Sequence, residues 1–458
     1  MPSLLATSPE ANSKHAAPSL VMGNFDAESS WRPAHLATLP SLPNRFEHSV
    51  IGVMDELLFL LCEQHGVVIT SEPMNPVQMA YLQSIGFSFQ NHSVHTTVNQ
   101  DSSADLDVYS ALIHPTMTPL CESYISQLPI VPYAVLPSTE RFFHHYGLSS
   151  NFPSAEIVKA VNSKLYSHDL AKSIHAAAPG HAVYSSEEML LTAKPYIAEH
   201  SKIVVKDPYG VSGKGNLVLA SDAMVERIFQ HLARQEQAGR KVQLLVEPWL
   251  NKHTDFSCQM RIRQDGATVF HSIQVMDNRG LNYGGSFEAS ESFIHQLESK
   301  GYFIAMEQVA SELYKEGYFG PVCVDSMNLI DGSIVPIVEI NARHSMGYLN
   351  DRLNRHISPK GQQGMLVPLE LRLPEWAKDS AAYETLLHQL DEAGILLTPN
   401  RTEGILPLSA NTLLDPRGIH KQGRWYVSIV TTHTESRDLW RQRLLSTLSA
   451  IGFEPNHR

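Results

Sequence analysis

Apolar and β-branched runs, broken by turn residues, divide this chain into strands alternating with helices. Short runs at 19–24, 49–54, 67–70 and 130–136 read as strands, and 79–85 between them has helical spacing. That alternation predicts an α/β unit over 19–150. The pattern then changes. Residues 154–162 and 167–176 read as helices, the second capped by Ser167. A strand at 203–205 leads into a glycine-rich loop, then into a helix over 222–237 capped by Ser221. A strand at 243–246 is stopped by Pro248. Segments 256–262 and 268–276 form an antiparallel pair around Asp265-Gly266, and a helix over 303–316 runs into a hairpin. These make a second unit over 151–358. Residues 359–374 read as a loop-rich transition. Beyond it, a helix at 381–393, strands near 404–407 and 425–432 and a final helix at 435–451 predict a small α+β unit over 359–458. Residues 1–18, rich in Ser, Ala and Pro, read as a disordered tail.

The hairpin is residues 321–343, PVCVDSMNLIDGSIVPIVEINAR. Each of its apolar runs carries one acid where a strand would carry valine: Asp325 in the first, Glu339 in the second. Asn341 and Arg343 follow Glu339 at steps of two, so all three share one face of an extended strand. Whether Asp325 joins them depends on the turn at Asp331-Gly332-Ser333. A two-residue loop pairs 330 with 333 and sends the acids to opposite faces. A three-residue loop, or a bulge near Pro336, puts them on the same face. Two facing carboxylates repel unless something positive lies between them. Hard oxygen ligands with room for water suit Mg²⁺, whereas a half-exposed hairpin with solvated acids needs no metal.

A length of 458 residues exceeds one core and allows two or three domains. The net charge of −12, with no long basic run, argues against nucleic acid or an anionic membrane as the main partner. Cys62, Cys121, Cys258 and Cys323 are far apart and form no CxxC pair, which points to free thiols in a cytoplasmic protein. The longest apolar run, 57–62, is far too short to span a bilayer.

Residues 203–216, IVVKDPYGVSGKGN, place Lys206 at a strand end and Gly210, Gly213 and Gly215 just after it. Backbone N–H groups in such a loop approach phosphate oxygens closely, and Lys206 and Lys214 add positive charge. Two better-known phosphate loops are excluded. Pro208 and Gly215 occupy the positions where a Walker loop needs Gly and Ser or Thr, and Val218 stands where a dinucleotide fingerprint needs its last Gly. Between this loop and the hairpin lies Leu244-Leu-Val-Glu247-Pro-Trp249-Leu250. A strand ending this way can serve as a hinge, with Glu247 and the backbone around Leu250 bonding a purine and apolar neighbours sandwiching it.

With these elements in this order, the chain resembles the ATP-grasp superfamily of carboxylate–amine ligases over roughly residues 161–351. The motifs are VNSKLYSHDLAKSI, KDPYGVSGKG, VEPWL, and VEINAR after VCVDSM. NSKLYS, VMGNFDAE, VPYAVLP and the C-terminal unit further resemble natural-product peptide ligases of the pheganomycin type. The resemblance implies an ATP-grasp fold of two α+β lobes clasping ATP, preceded by a Rossmann-like domain and followed by a small α+β domain. It implies that Lys164 and Lys206 hold the α- and β-phosphates. The Gly210–Gly215 loop, with Ser212, Gly213 and Lys214, would close over the triphosphate. Glu247, Trp249 and Leu250 would line the adenine site and Asp255 the ribose. Asp325, Glu339 and Asn341 would hold Mg²⁺, and Arg343 would face the γ-phosphate. Arg261 and Arg279 would meet the oxyanion or the substrate carboxylate. The first metal acid is often Glu in this superfamily; Asp325 has a shorter arm. Implied partners are an amino acid or peptide, or a carrier-protein thiol, in a homodimer by default. The glycines of 279–286, RGLNYGGS, and of the phosphate loop would let both move as lids. The resemblance also requires Asp325 and Glu339 to share a face.

Overall fold

Leu20-Val-Met and Gly66-Val-Val-Ile-Thr are apolar on both sides, the pattern of strands buried on both faces. In the computed structural model, which describes residues 17–40, 44–94, 107–114, 123–125, 127–210, 215–279, 282–416 and 421–456, they form the middle of a parallel sheet. Its strands are β1 (Leu20–Met22), β2 (Gly66–Thr70), β3 (Phe89–Ser93) and β4 (Ile130–Pro132), in the order 3-2-1-4. The strand expected at 49–54 is instead the end of a helix, Arg45–Ile51, followed by a 3₁₀ segment, Met54–Leu61. Every residue of that second segment is buried, so its apolar run carries no period to separate helix from strand.

A second sheet is antiparallel: β5 (His181–Val183), β6 (Ile203–Lys206), β7 (Asn216–Leu219) and β8 (Leu244–Pro248), in the order 5-8-6-7. Helices Ser186–His200 and Asp222–Gln237 pack on it; Ser221 caps the second, as its sequence predicts. The first escapes the sequence pattern because Pro195 interrupts it.

The third sheet has nine strands. They are β9 (Lys252–Ile262), β10 (Thr268–Arg279), β11 (Asn282–Glu288), β12 (Gly320–Leu329), β13 (Ile334–Asn341), β14 (Gln363–Arg372), β15 (Gly404–Pro407), β16 (Gln422–Thr431) and β17 (Glu454–Pro455). The order is 13-12-9-10-11-14-16-15, with β17 on β14. Two expectations are corrected here. The transition at 359–374 is largely β14, in which Pro368 disguises a strand. Within the glycine-rich lid expected at 279–286, residues 282–286 belong to β11, and residues 280–281 lie outside the described residues; a Cβ on Gly285 would meet Leu366 O at 2.6 Å, so that glycine permits close strand approach. The sheet runs on across residue 359, where the last unit was expected to begin.

The N-terminal unit is tied to the far end of this sheet by a buried acid. Glu56 Oε2 accepts the N–H groups of Ala410 and Asn411 at 3.0 and 3.1 Å, and its Oε1 accepts that of Thr412 at 2.8 Å. Burial nevertheless pushes its carboxyl up to about 7. Between the unfolded value near 4.5 and about 7, the folded chain keeps a proton that the unfolded chain releases. This group therefore makes stability fall as pH rises through that window. Glu56→Gln is expected to be less stable than wild type at pH 5, with the gap in unfolding midpoint narrowing by pH 8. A gap that widens with pH would contradict this account.

Candidate active site

The hairpin resolves the parity question. Leu329 N–H donates to Ser333 O at 2.9 Å, leaving a three-residue loop, Ile330-Asp331-Gly332, with Gly332 at φ +81°. Asn328 pairs with Ile334 and Met327 with Val335. The ladder then shifts: β12 advances by Ser326 alone while β13 advances by Pro336-Ile337-Val338. Both irregularities preserve parity, and Asp325 pairs directly with Glu339. The rung continues through Ser257 of β9 to Gln274 of β10. The next rung on the same face is Asn341, Cys323, Gln259 and Ser272, and Arg261 lies one rung beyond, paired with Pro321.

β13 is an edge strand, and its outer edge is covered by a helix. The sequence places the cap of that helix at Ser167; the structure places it at Ser163, with the helix running Lys164–Ser173. Ser167 lies inside the helix and its Oγ accepts the Ile340 N–H at 3.0 Å, while Asn162 Oδ1 accepts the Ala342 N–H at 2.9 Å. These two bonds dock Lys164, 2 % exposed, against the acidic rung. Its Nζ lies 2.5 Å from Glu339 Oε1 and also donates to Gly210 O at the near end of the glycine loop. The neck of that loop is closed by Asp207 N–H donating to Gly215 O at 2.7 Å. A Cβ on Gly215, at φ +77°, would meet Gly210 Cα and Asp207 Cβ at 3.0 Å each.

Burial, then the facing Glu339 carboxylate, pushes Asp325 up to about 7. Among the described residues, the donors to Asp325 are Asn341 Nδ2 at 3.1 Å and the Cys323 thiol at 3.5 Å. Two facing carboxylates and a neighbouring amide, with one ammonium paired to Glu339, form a donor set that fits a hard divalent cation. Among the described residues, no group of three or more His, Cys, Asp or Glu side chains is placed to hold a metal, so water and phosphate oxygens would supply the remaining ligands. Asn341 Oδ1 accepts from Arg343 Nη2 at 3.0 Å. Burial opposes the charge of Arg343, but the adjacent Glu28 carboxylate, with Tyr133, outweighs it and keeps the guanidinium protonated.

The remaining candidates lie on neighbouring elements. Lys206 ends β6, and its Nζ meets Glu247 Oε2 of β8 at 2.5 Å. Trp249 N–H donates to Lys202 O at 3.0 Å, and Leu250 O accepts the Lys252 N–H at 3.0 Å. Asp255 Oδ2 accepts from Lys252 Nζ at 2.5 Å and from Asn278 Nδ2 at 2.8 Å. Ser212, Gly213, Lys214 and the Arg279 side chain, like Cys121 and residues 1–16, lie outside the described residues. Three residues escape the sequence reading: Glu28, Arg32 and Asp207. Glu28 closes the segment VMGNFDAE, which carried a resemblance but no role for the acid, and Arg32 follows at the cap of the short Ala27–Trp31 helix; Asp207, inside KDPYG, had the loop itself as a signal.

Solved structures share this architecture. N5-carboxyaminoimidazole ribonucleotide synthetase, in its ADP complex, superposes with a TM-score of 0.51 at 14 % identity, covering 87 % of this chain and 95 % of that one. The biotin carboxylase domain of the Hydrogenobacter thermophilus 2-oxoglutarate carboxylase, in complex with MgADP, superposes with a TM-score of 0.54 at 12 % identity, covering 96 % and 91 %. The chain has the ATP-grasp fold. In ATP-grasp terms, the β5–β8 sheet with its helices is one lobe and the β9–β13 part of the large sheet the other, preceded by the parallel-sheet unit. No protein-family model matches the chain. Among curated proteins, the [butirosin acyl-carrier protein]–L-glutamate ligase of Niallia circulans is 25 % identical over 236 residues, 49 % of this chain. The chain spans about half of that relative's length, 54 %. Among the described residues, no helix is long and apolar enough to cross a membrane.

Proposed function

We propose that this chain is an ATP-dependent, ADP-forming ligase that activates a carboxylate and transfers the acyl group to an amine. The observation that carries the reading is the convergence of Lys164, Asp325, Glu339, Asn341 and Arg343 at the mouth of the glycine loop. In the first step a carboxylate oxygen attacks the γ-phosphorus, the bond to the β-phosphate oxygen breaks, and ADP leaves an acyl phosphate. In the second, an amine attacks the acyl carbon, the C–O bond to phosphate breaks, and the amine loses a proton. A carboxylate is a poor electrophile, and phosphorylation supplies its leaving group. The protein's task is positioning and charge neutralisation.

Mg²⁺ held by Asp325, Glu339 and Asn341 would neutralise charge on the triphosphate. Lys164 and Lys206 bind phosphate oxygens, exchanging Glu339 and Glu247 for them. The loop at 210–215 offers backbone N–H groups and excludes water. Glu247, Trp249 and Leu250 form the adenine hinge and Asp255 the ribose contact. Arg343 faces the γ-phosphate, and Arg261 and Arg279 bind the substrate carboxylate. A second acceptor, a carrier-protein thiol, is favoured by the relative whose name records ligation of glutamate to an acyl-carrier protein. ADP release against a panel of amino-acid pairs, with mass spectrometry of products and of an added carrier protein, separates the two. Amide product from free amino acids is expected; a mass shift on the carrier alone selects the thiol, and no ADP with any substrate refutes both.

A further inference from the structure

One turn of helix near the N-terminus reaches both lobes. The Ala27–Trp31 helix carries Glu28, and Arg32 follows at its C-terminal cap, four residues on, so the two side chains leave one face. Glu28 Oε1 accepts from Arg343 Nε at 2.7 Å and from Arg343 Nη2, beside the acidic rung of the large sheet. Arg32 Nε and Nη2 donate to Asp207 Oδ2 at 3.0 and 2.8 Å, at the neck of the glycine loop in the other lobe. Glu28 is 3 % exposed and Asp207 4 %, so neither pair is a screened surface contact. The turn itself is pinned. Trp31 Nε1 donates to Val135 O at 3.0 Å, Arg32 N–H to Glu28 O at 3.0 Å, and Arg32 Nη2 to Ala37 O at 2.7 Å. The apolar residues around it divide in the same way: Phe25, Ala27 and Trp31 pack into the core of the large sheet, Ala37 and Leu39 into that of the β5–β8 lobe.

We infer that Glu28 and Arg32 are positioning residues for the ligase reaction, an inference that rests on the reading proposed above. Arg343 also donates from Nη2 to Asn341 Oδ1 at 3.0 Å and from Nη1 to His344 O at 2.9 Å, so Glu28 fixes its guanidinium at the end of the acidic rung. Without the Glu28 carboxylate, that buried charge is free to turn toward the acids or the triphosphate at the wrong distance. Arg32 fixes the base of the phosphate loop through Asp207, and a single turn thereby sets the spacing between loop and rung. Glu28 acts on the step in which Arg343 faces the transferring phosphoryl group, and Arg32 acts on nucleotide binding.

The test compares full-length wild type with Glu28→Gln, Arg32→Ala and Arg32→Lys. It measures ADP-release kinetics, MgADP affinity by calorimetry and the unfolding midpoint. Glu28→Gln is expected to lower kcat by about 10²-fold, with the KM for ATP changed less than about threefold. Arg32→Ala is expected to raise both the KM for ATP and the Kd for MgADP by about tenfold with a smaller change in kcat, and Arg32→Lys to recover part of that loss. Wild-type kinetics in Glu28→Gln and Arg32→Ala, or a fall in unfolding midpoint with no split between kcat and KM, would overturn the inference. Wild type that binds MgADP but forms no ADP with any substrate overturns the ligase reading and the role of Glu28, while the MgADP affinity of Arg32→Ala still decides that of Arg32. Wild type that binds no nucleotide overturns all three.

Discussion

Glu339→Gln is expected to reduce ADP formation on the order of 10³-fold. Its carboxylate faces Asp325 across the hairpin and meets Lys164 Nζ at 2.5 Å. The substitution removes one of two anionic oxygen donors from the rung. Losing several kcal/mol of charge stabilisation, at about 1.4 kcal/mol per decade, gives a change of that size. It also leaves Lys164, 2 % exposed, without its acid, which costs about 3–5 kcal/mol of stability. Asp325→Asn separates the two effects. It removes the other carboxylate but leaves the Lys164–Glu339 pair, and a carboxyl already pushed up to about 7 loses little on becoming an amide. Asp325→Asn should therefore be as inactive as Glu339→Gln with an unfolding midpoint near wild type. Near wild-type ADP release in either variant, measured at a temperature where it is folded, would refute the assignment of this rung.

Lys206→Met is expected to lower kcat/KM for ATP by about 10²–10³-fold. Lys206 is 7 % exposed at the last position of β6, beside the neck of the glycine loop, and its ammonium pairs with Glu247 at 2.5 Å. Methionine keeps the apolar stem and removes the charge, so packing is preserved while the phosphate contact is lost. Glu247 is left unpaired but is a half-buried acid at a strand end, which limits the cost to the fold. The discriminating measurement pairs ADP release with nucleotide titration: both should weaken together. Turnover and affinity equal to wild type would remove Lys206 from the site.

Several parts of this arrangement are legible along the chain. The helix over Asp222–Gln237 and its Ser221 cap, the β9–β10 pair and the acids of the β12–β13 hairpin are written in local periodicity and turn residues. The errors have local causes too. Ser163 and Ser167 are both acceptable caps by type, and contact with the β13 edge decides between them, since Ser167 is already occupied by Ile340 N–H. Pro368 hid β14, and Gly285 read as mobility where the structure needs close approach to Leu366.

The sequence by itself determined the order of lysine strand, glycine loop, Glu247 strand and acidic hairpin, and with it the fold. Each of these signals spans a few to about twenty residues, within reach of a period of two or 3.6. The residues by themselves left two registers for the hairpin, and the resemblance required the one in which Asp325 and Glu339 share a face. Only the tertiary structure supplied the geometry: the three-residue loop and the extra residues of β13 at 336–338 set Asp325 against Glu339. Only the tertiary structure, likewise, brought Glu28 to Arg343, 315 residues apart, and Arg32 to Asp207, 175 apart. No local pattern records such a pair, because it is fixed by where the cores of three sheets place their strand ends, and a charge buried there takes the partner that the packing supplies.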